Sequence, residues 1–312
     1  MCASARNPKK AEDGMKNGIF VLKKEEGMTS QSAVTRVKRL LGADKAGHTG
    51  TLDPMATGVL PVLIGRAVKA SEYMLSSDKY YRAILRLGMT TDTEDITGEI
   101  LTRSDKLPDE DEVLLAISEF VGNIRQIPPM YSALKVGGKK LCDLARSGVT
   151  IEREARDITV FSIDAKRISD SDYSLDVHCS KGTYIRTLCA DIGARLGCGG
   201  AMAALERTKA SVFTLDDAIT LAELEAMADD ERCSALVPTE RVFASLKGVK
   251  LPEFFEKLAR SGLEIYLNKI GITLDMGEHV RLIGRDGFFA LGEVREFDTG
   301  AAIKPIKNFK PD

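Results

Sequence analysis

AGHTGTLDPMATGVLPVLIG, residues 46–65, is the stretch on which the fold turns. Its glycines, threonines and prolines forbid a single regular element. Leu60, Val62, Leu63 and Ile64 are nevertheless too apolar for a solvent loop, so it reads as an ordered loop entering a buried strand. Asp53 precedes Pro54, and the residue before a proline is pushed out of the helical region. Gly47 and Gly50 permit close backbone approach beside it. The stretch therefore presents one carboxylate on a glycine-flexed loop between hydrophobic elements. Taken alone, Asp53-Pro54 reads first as an ordinary turn initiator.

Outward from this loop the periodicities are clear. Gly18 to Lys23 reads as a short buried strand. Thr29 or Ser30 caps a helix in which Ala33, Val34, Val37, Leu40 and Leu41 share one face, and Gly42 ends it. Downstream, Tyr80 to Leu87 alternates as a strand, Thr90 to Gly98 is a polar turn, and Asp109 to Phe120 is a capped amphipathic helix. Ile158 to Ile168 and Tyr173 to Cys179 form an antiparallel pair. Lys181 and Gly182 then punctuate the change to a helix, Tyr184 to Leu196. An acidic helix, Asp217 to Met227, leads to a linker near Arg241 to Lys250. Arg285-Asp286-Gly287 is a hairpin turn in a small β-rich C-terminal domain.

At ~150 residues per domain, 312 residues make about two domains. The chain is 44% hydrophobic and 29% charged, and no apolar run reaches the ~18 residues of a membrane span. Six scattered cysteines without CxxC spacing, and an N-terminus with no apolar core, give reduced thiols and a cytoplasmic protein as the expectation. The net charge of −2 argues against a strongly basic nucleic-acid binder. The distribution is uneven, however. From Arg36 to Arg82 eight basic residues face four acids, whereas from Asp216 to Arg232 seven acids face one arginine. A concentrated basic face binds phosphates on a neutral protein, because screening beyond ~8 to 10 Å hides remote acids. An ordinary solvated face is the plainer alternative.

His48, His178 and His279 lack partners at ligand spacing, which leaves no zinc motif. Neither a P-loop nor a GxSxG elbow occurs. What remains is Ser180-Lys181-Gly182-Thr183-Tyr184-Ile185-Arg186, which sets an arginine at a helix start. Since that position opposes the dipole preference, an anion partner is one expectation, and an ordinary exposed arginine is the plainer one.

Four segments carry a resemblance: GHTGTLDPMATGVLPVLIGRAVK, SDKYYRAILRLGMTTDTEDITGEI, IPPMYSALKVGGKKLCDLARSG and HCSKGTYIRTLCADIGARLGCG. Together they resemble the TruB family, the stand-alone bacterial tRNA pseudouridine synthases that modify uridine 55 in the T loop. The similarity runs from about Gly18 to about Asp217, and more loosely over Ile272 to Phe309. It implies an α+β chain with a pseudouridine synthase fold, built on a mixed, largely antiparallel sheet, plus a small PUA-like domain. The boundaries expected are a flexible extension over 1–17, a catalytic domain over 18–245 and an RNA-binding domain over 246–312. By the same resemblance Asp53, Tyr81 and Arg186 are the catalytic residues. His48 helps pry the target nucleotide from its neighbours, and Tyr184 and Leu205 belong to the base site. The family's Asp-Lys-Pro reads Lys23-Lys24-Glu25 here, so Lys24 keeps the lysine position. Lys24 is, with Arg36, Lys139 and Lys140, a candidate phosphate contact.

The chemistry suits these residues. Turning uridine into pseudouridine breaks the bond from N1 to the sugar and re-forms it at C5, with no redox change and no group added, so no cofactor and no metal is expected. The burden falls on one ionised carboxylate, kept charged and oriented by a bidentate arginine. Flipping the base out of a folded loop costs a few kcal/mol, partly recovered by stacking on an aromatic ring such as Tyr81. The resemblance implies action on the T stem-loop of tRNA without guide RNA or membrane, and a monomer is the expectation, though nothing in the residues fixes the oligomeric state. The competing reading is a tRNA-folding chaperone on the same scaffold, with idle catalytic motifs.

Overall fold

Alternation along Lys79–Leu87 organises the molecule. Ala83, Leu85 and Leu87 turn to a buried core, while Arg82 stands exposed on the other face. In the computed structural model, residues 16–132 and 134–310 are described. The strand lies at the centre of a sheet ordered Gly18–Lys24, Thr57–Ile64, Gly200–Ala210, Lys79–Leu87, Asp172–Cys179, Arg156–Arg167 and Gly122–Gln126. Ala46–His48 and Phe213–Thr214 add short pieces to it. The pairing of Gly200–Ala210 with Thr57–Ile64 is parallel, and the other pairs are antiparallel. One face packs the helices Ser30–Leu40, Glu110–Ser118 and Ile185–Arg195 through Val34, Val37, Val113, Ile117, Leu188 and Ile192. Part of the opposite face is closed by Ala67, Met74 and Phe213.

The helix starts follow their caps. The Thr29 hydroxyl accepts the Ser32 N–H at 3.1 Å, and the Asp109 carboxylate accepts that of Glu112 at 2.9 Å. The helix Ile185–Arg195 is drawn against the sheet by two glycines, since a Cβ at Gly193 would lie 2.0 Å from the Gly200 nitrogen. Of the N-terminal stretch expected to be flexible, residues 1–15 lie outside the described residues. Asn17 is anchored, its side-chain oxygen accepting the Arg66 N–H at 2.6 Å.

Two expectations are corrected. The acidic helix expected over Asp217 to Met227 is broken into Leu215–Asp217 and Leu221–Ala226. Between them Ile219 is pulled into an extended bridge with the first strand, its N–H donating to Val21 and its carbonyl accepting from Lys23, each at 2.9 Å. Thr220 then starts a new helix with a capping box to Glu223. Nor is Arg241 to Lys250 a free linker, because Phe243 is buried in it and Lys247–Lys250 is a strand. That strand opens a second sheet, ordered Lys247–Lys250, His279–Gly284, Gly287–Phe297, Gly300–Asn308 and Ile265–Tyr266, with the hairpin turn at Arg285-Asp286.

The two sheets are joined by an aromatic cluster. Phe243 meets Tyr73 edge-on with ring centroids 5.2 Å apart, and lies 5.4 Å from Phe309. Lys69 and Arg66 add hydrogen bonds to the Asn308 and Lys310 carbonyls, each at 2.9 Å. Phe243→Ala empties the centre of this cluster and is expected to lower stability by ~3–5 kcal/mol, seen as a fall in the thermal unfolding midpoint. Phe243→Leu, which refills much of the volume, should lose less.

Candidate active site

The loop from Thr49 to Ala56 has no ladder of its own, and besides the backbone bonds from Gly27 to Pro54 and from Ala56 to Asp53, side chains from elsewhere hold its backbone. The Ser30 hydroxyl, at the start of the first helix, accepts the Leu52 N–H at 2.8 Å and donates to the Leu52 carbonyl at 2.9 Å. The Lys24 ammonium donates to the carbonyls of Ala56 at 2.6 Å, Glu25 at 3.0 Å and Pro54 at 3.2 Å. Arg207 donates to Val59 at 2.8 Å and to Gly50 at 3.2 Å. Gly50 itself has φ +124°, a conformation that favours glycine. Asp53 thus sits between two pinned neighbours, Leu52 and Pro54, on a rigid support.

Its carboxylate faces the helix Ile185–Arg195. Asp53 Oδ2 lies 2.9 Å from Arg186 Nε, and the side chains are 34% and 6% exposed respectively. The guanidinium is sealed, and the carboxylate is the part of the pair that a ligand can reach. A bidentate pair was expected, but the other Arg186 nitrogens are engaged by protein. Nη1 donates to the Thr93 carbonyl at 3.1 Å and Nη2 to the Tyr131 carbonyl at 2.8 Å. A second acid, Asp95, stands 3.8 Å from Nη1. It is 5% exposed, and its Oδ1 accepts the Thr97 hydroxyl at 2.5 Å and the Thr93 hydroxyl and Thr97 N–H, each at 2.9 Å.

Burial pushes the Asp53 pKa above the ordinary carboxylate value. Arg186 and Lys24 pull it back, while Asp95 adds to the rise. Tyr81 stands opposite Arg207 in the strand register, and burial raises its phenol above the usual 10.0 against the opposing pull of that arginine. The phenol is therefore neutral near pH 7 and able to donate. Leu205, opposite Ala83, shares this face and is 9% exposed. Tyr184 precedes the first turn of Arg186's helix, and its raised pKa reflects burial first, with Ser132, Arg186 and Asp53 nearby. His48 ends a short strand, and burial first, then Arg207, lowers its pKa, which favours the neutral imidazole.

Asp53, Arg186, Tyr81, Tyr184, Leu205 and Lys24 thus converge on one side of the central sheet, with His48 at the root of the loop. Lys24, a candidate phosphate contact by sequence, lies inside the protein. At 1% exposure its ammonium is enclosed by three carbonyls, and burial brings its pKa down from 10.5 to about 8. Arg36 is engaged by Glu225 at 2.6 Å, and Lys139 is exposed on the hairpin that follows Tyr131. Two residues were missed from sequence. Asp95 was hidden in what read as a polar turn. Arg207 follows Leu205 by two residues in a strand, and a charge in phase with an inward leucine was the available signal.

Comparison with known proteins identifies the family. Residues 38–185 match the family described as TruB family pseudouridylate synthase (N terminal domain), and residues 186–244 match the tRNA pseudouridylate synthase B C-terminal domain. The chain is 45% identical over 284 residues to a tRNA pseudouridine synthase B of Alkaliphilus oremlandii, covering 90% of this chain and 94% of the relative. It is 40% identical over 277 residues to that of Aromatoleum aromaticum, covering 89% and 88%. Among solved structures it resembles a chain of an H/ACA RNP bound to a substrate RNA containing 2'-deoxyuridine, with TM-score 0.71, 25% identity and coverage of 95% and 86%. A chain of a Cbf5-Nop10-Gar1 complex gives TM-score 0.68, 27% identity and coverage of 96% and 87%. The carboxylate–arginine pair thus sits in a pseudouridine synthase fold, and the chain belongs to the TruB family, whose reaction isomerises uridine in tRNA to pseudouridine.

Proposed function

We propose that the uridine isomerised is residue 55 in the T loop of tRNA, and that Asp53 is the single reacting acid. The observation that carries the role of Asp53 is its pair with Arg186, 2.9 Å long with only the carboxylate side open; the position in tRNA rests on the family resemblance. Asp95 does not compete for the role, because it is buried and its Oδ1 is filled by threonine donors. One carboxylate suits a reaction that retains its leaving group. A glycosidase needs two to manage a leaving group and a water, whereas here water must be kept out.

In this account the base leaves its stack and lies against Tyr81, with Leu205 on the same apolar face and Tyr184 beside Arg186. Stacking returns ~1–3 kcal/mol of the flipping cost. Asp53 attacks the sugar or the base, or acts as a base, as the bond at N1 breaks. The base turns in place and C5 bonds to C1′, and the proton lost from C5 is balanced by one gained at N1. The neutral Tyr81 phenol supplies a donor or acceptor at the ring. Neutral His48 acts by shape rather than charge. The unit over 246–312 adds affinity for the RNA, and the protein works as a cytoplasmic monomer on free tRNA, without a guide.

Asp53→Asn is expected to abolish pseudouridine formation while tRNA affinity stays within a few-fold of wild type. With a T-loop hairpin as substrate, the product should map to the position of uridine 55. Product elsewhere, or an active Asp53→Asn enzyme, overturns the reading. An Asp53→Asn variant that still serves every cellular role would favour the chaperone.

Lys24→Met removes the anchor of the Pro54 and Ala56 carbonyls and is expected to slow the reaction. The dependence of tRNA affinity on salt should keep its wild-type slope, since loss of a phosphate contact would flatten the slope by ~0.7–0.9.

A further inference from the structure

Gln126 is the last residue of the strand Gly122–Gln126 and is 2% exposed. A buried primary amide needs partners for its oxygen and its nitrogen. Both come from one residue: Oε1 accepts the Tyr184 N–H at 2.8 Å, and Nε2 donates to the Tyr184 carbonyl at 3.0 Å. The side chain does for Tyr184 what a neighbouring strand would do, at a place where the ladder has stopped at the pair Arg156 and Gln126.

Tyr184 needs such a partner. It is extended, at φ −101° and ψ 110°, it precedes the first turn of the helix Ile185–Arg195, and its own side chain caps nothing. Ser180 is already tied to Thr159 by two hydrogen bonds, of 2.8 and 2.9 Å, and Gly182 turns the chain at φ +84°. Beyond that turn, Gln126 fixes where the helix begins. The chain after Gln126 then returns to the same helix. Pro128 and Pro129 restrict it, and the Tyr131 carbonyl accepts from Arg186 Nη2 at 2.8 Å. The segment 126–131 holds the helix start by its backbone at one end and by its guanidinium at the other.

We infer that Gln126 is a positioning residue for the isomerisation: its amide locks Tyr184, and with it the first turn that brings Arg186 Nε onto Asp53. The inference rests on the Asp53–Arg186 reading proposed above. Because the hydrogen bonds are made to backbone, an apolar side chain of similar volume fills the space without replacing them.

The test is single-turnover pseudouridine formation on unmodified tRNA with saturating enzyme, comparing wild type, Gln126→Met and Gln126→Glu across pH. Gln126→Met is expected to slow the reaction about 10- to 100-fold, the size of effect that a small misplacement of a reacting group produces. The tRNA dissociation constant should stay within a few-fold. The acid limb of the pH–rate profile should move to higher pH, because a displaced arginine holds the carboxylate less well. In an Arg186→Lys background the same substitution should cost much less than it does alone, since both changes act on one contact. Gln126→Glu keeps the acceptor and loses the donor, and should show the same signs should Gln126→Met fail to fold.

A wild-type rate and limb, a full loss repeated in the Arg186→Lys background, or a loss confined to melting temperature or tRNA affinity overturns the inference. An inactive Asp53→Asn enzyme beside a normal Gln126→Met enzyme refutes this role alone. An active Asp53→Asn enzyme refutes the reading beneath it.

Discussion

A carboxylate on a short loop and a guanidinium on a helix meet at 2.9 Å, and the surroundings of both are arranged around that contact. Neither group arrives by local structure. The loop is pinned by Ser30, Lys24 and Arg207, and the helix is pressed to the sheet at Gly193 and Gly200. Arg186 at the start of its helix is unfavourable against the dipole by ~0.3–1 kcal/mol, and its anion partner offsets this.

The arrangement is not one that stability alone would select. Asp53 has its pKa raised by burial, so the folded protein holds that proton more tightly than the unfolded chain does. From the unfolded value up through the folded one, stability falls as pH rises, and at neutral pH the ionised carboxylate subtracts from it. Lys24 and Arg207 are likewise enclosed, held mainly by carbonyl oxygens. Carbonyls satisfy a buried cation without neutralising it. Of the two acids beside Arg186, Asp53 is the reachable one, since Asp95 is buried.

Much of the frame was legible from local pattern. Thr29 and Asp109 announced their helices because a cap and an apolar period agree there, and Arg285-Asp286 announced its hairpin. Pattern failed where distant chain decided the outcome. Ile219 is extended because the first strand takes its backbone, and the stretch around Phe243 is fixed because the rings of Tyr73, Phe288 and Phe309 close on it. The site was legible in its parts but not in its pairing. Nothing local connects Asp53 to Arg186, and the family resemblance alone joined them. Lys24 read as a candidate phosphate contact because the burial of a lysine on three carbonyls has no periodic signature.

The most direct measurement is an NMR titration of the Asp53 carboxyl in the folded protein, made on wild type and on Arg186→Met. The midpoint is expected above the ordinary aspartate value of 3.8 in wild type, with a further rise when the arginine is lost. A midpoint at the ordinary aspartate value, indifferent to the substitution, would contradict it.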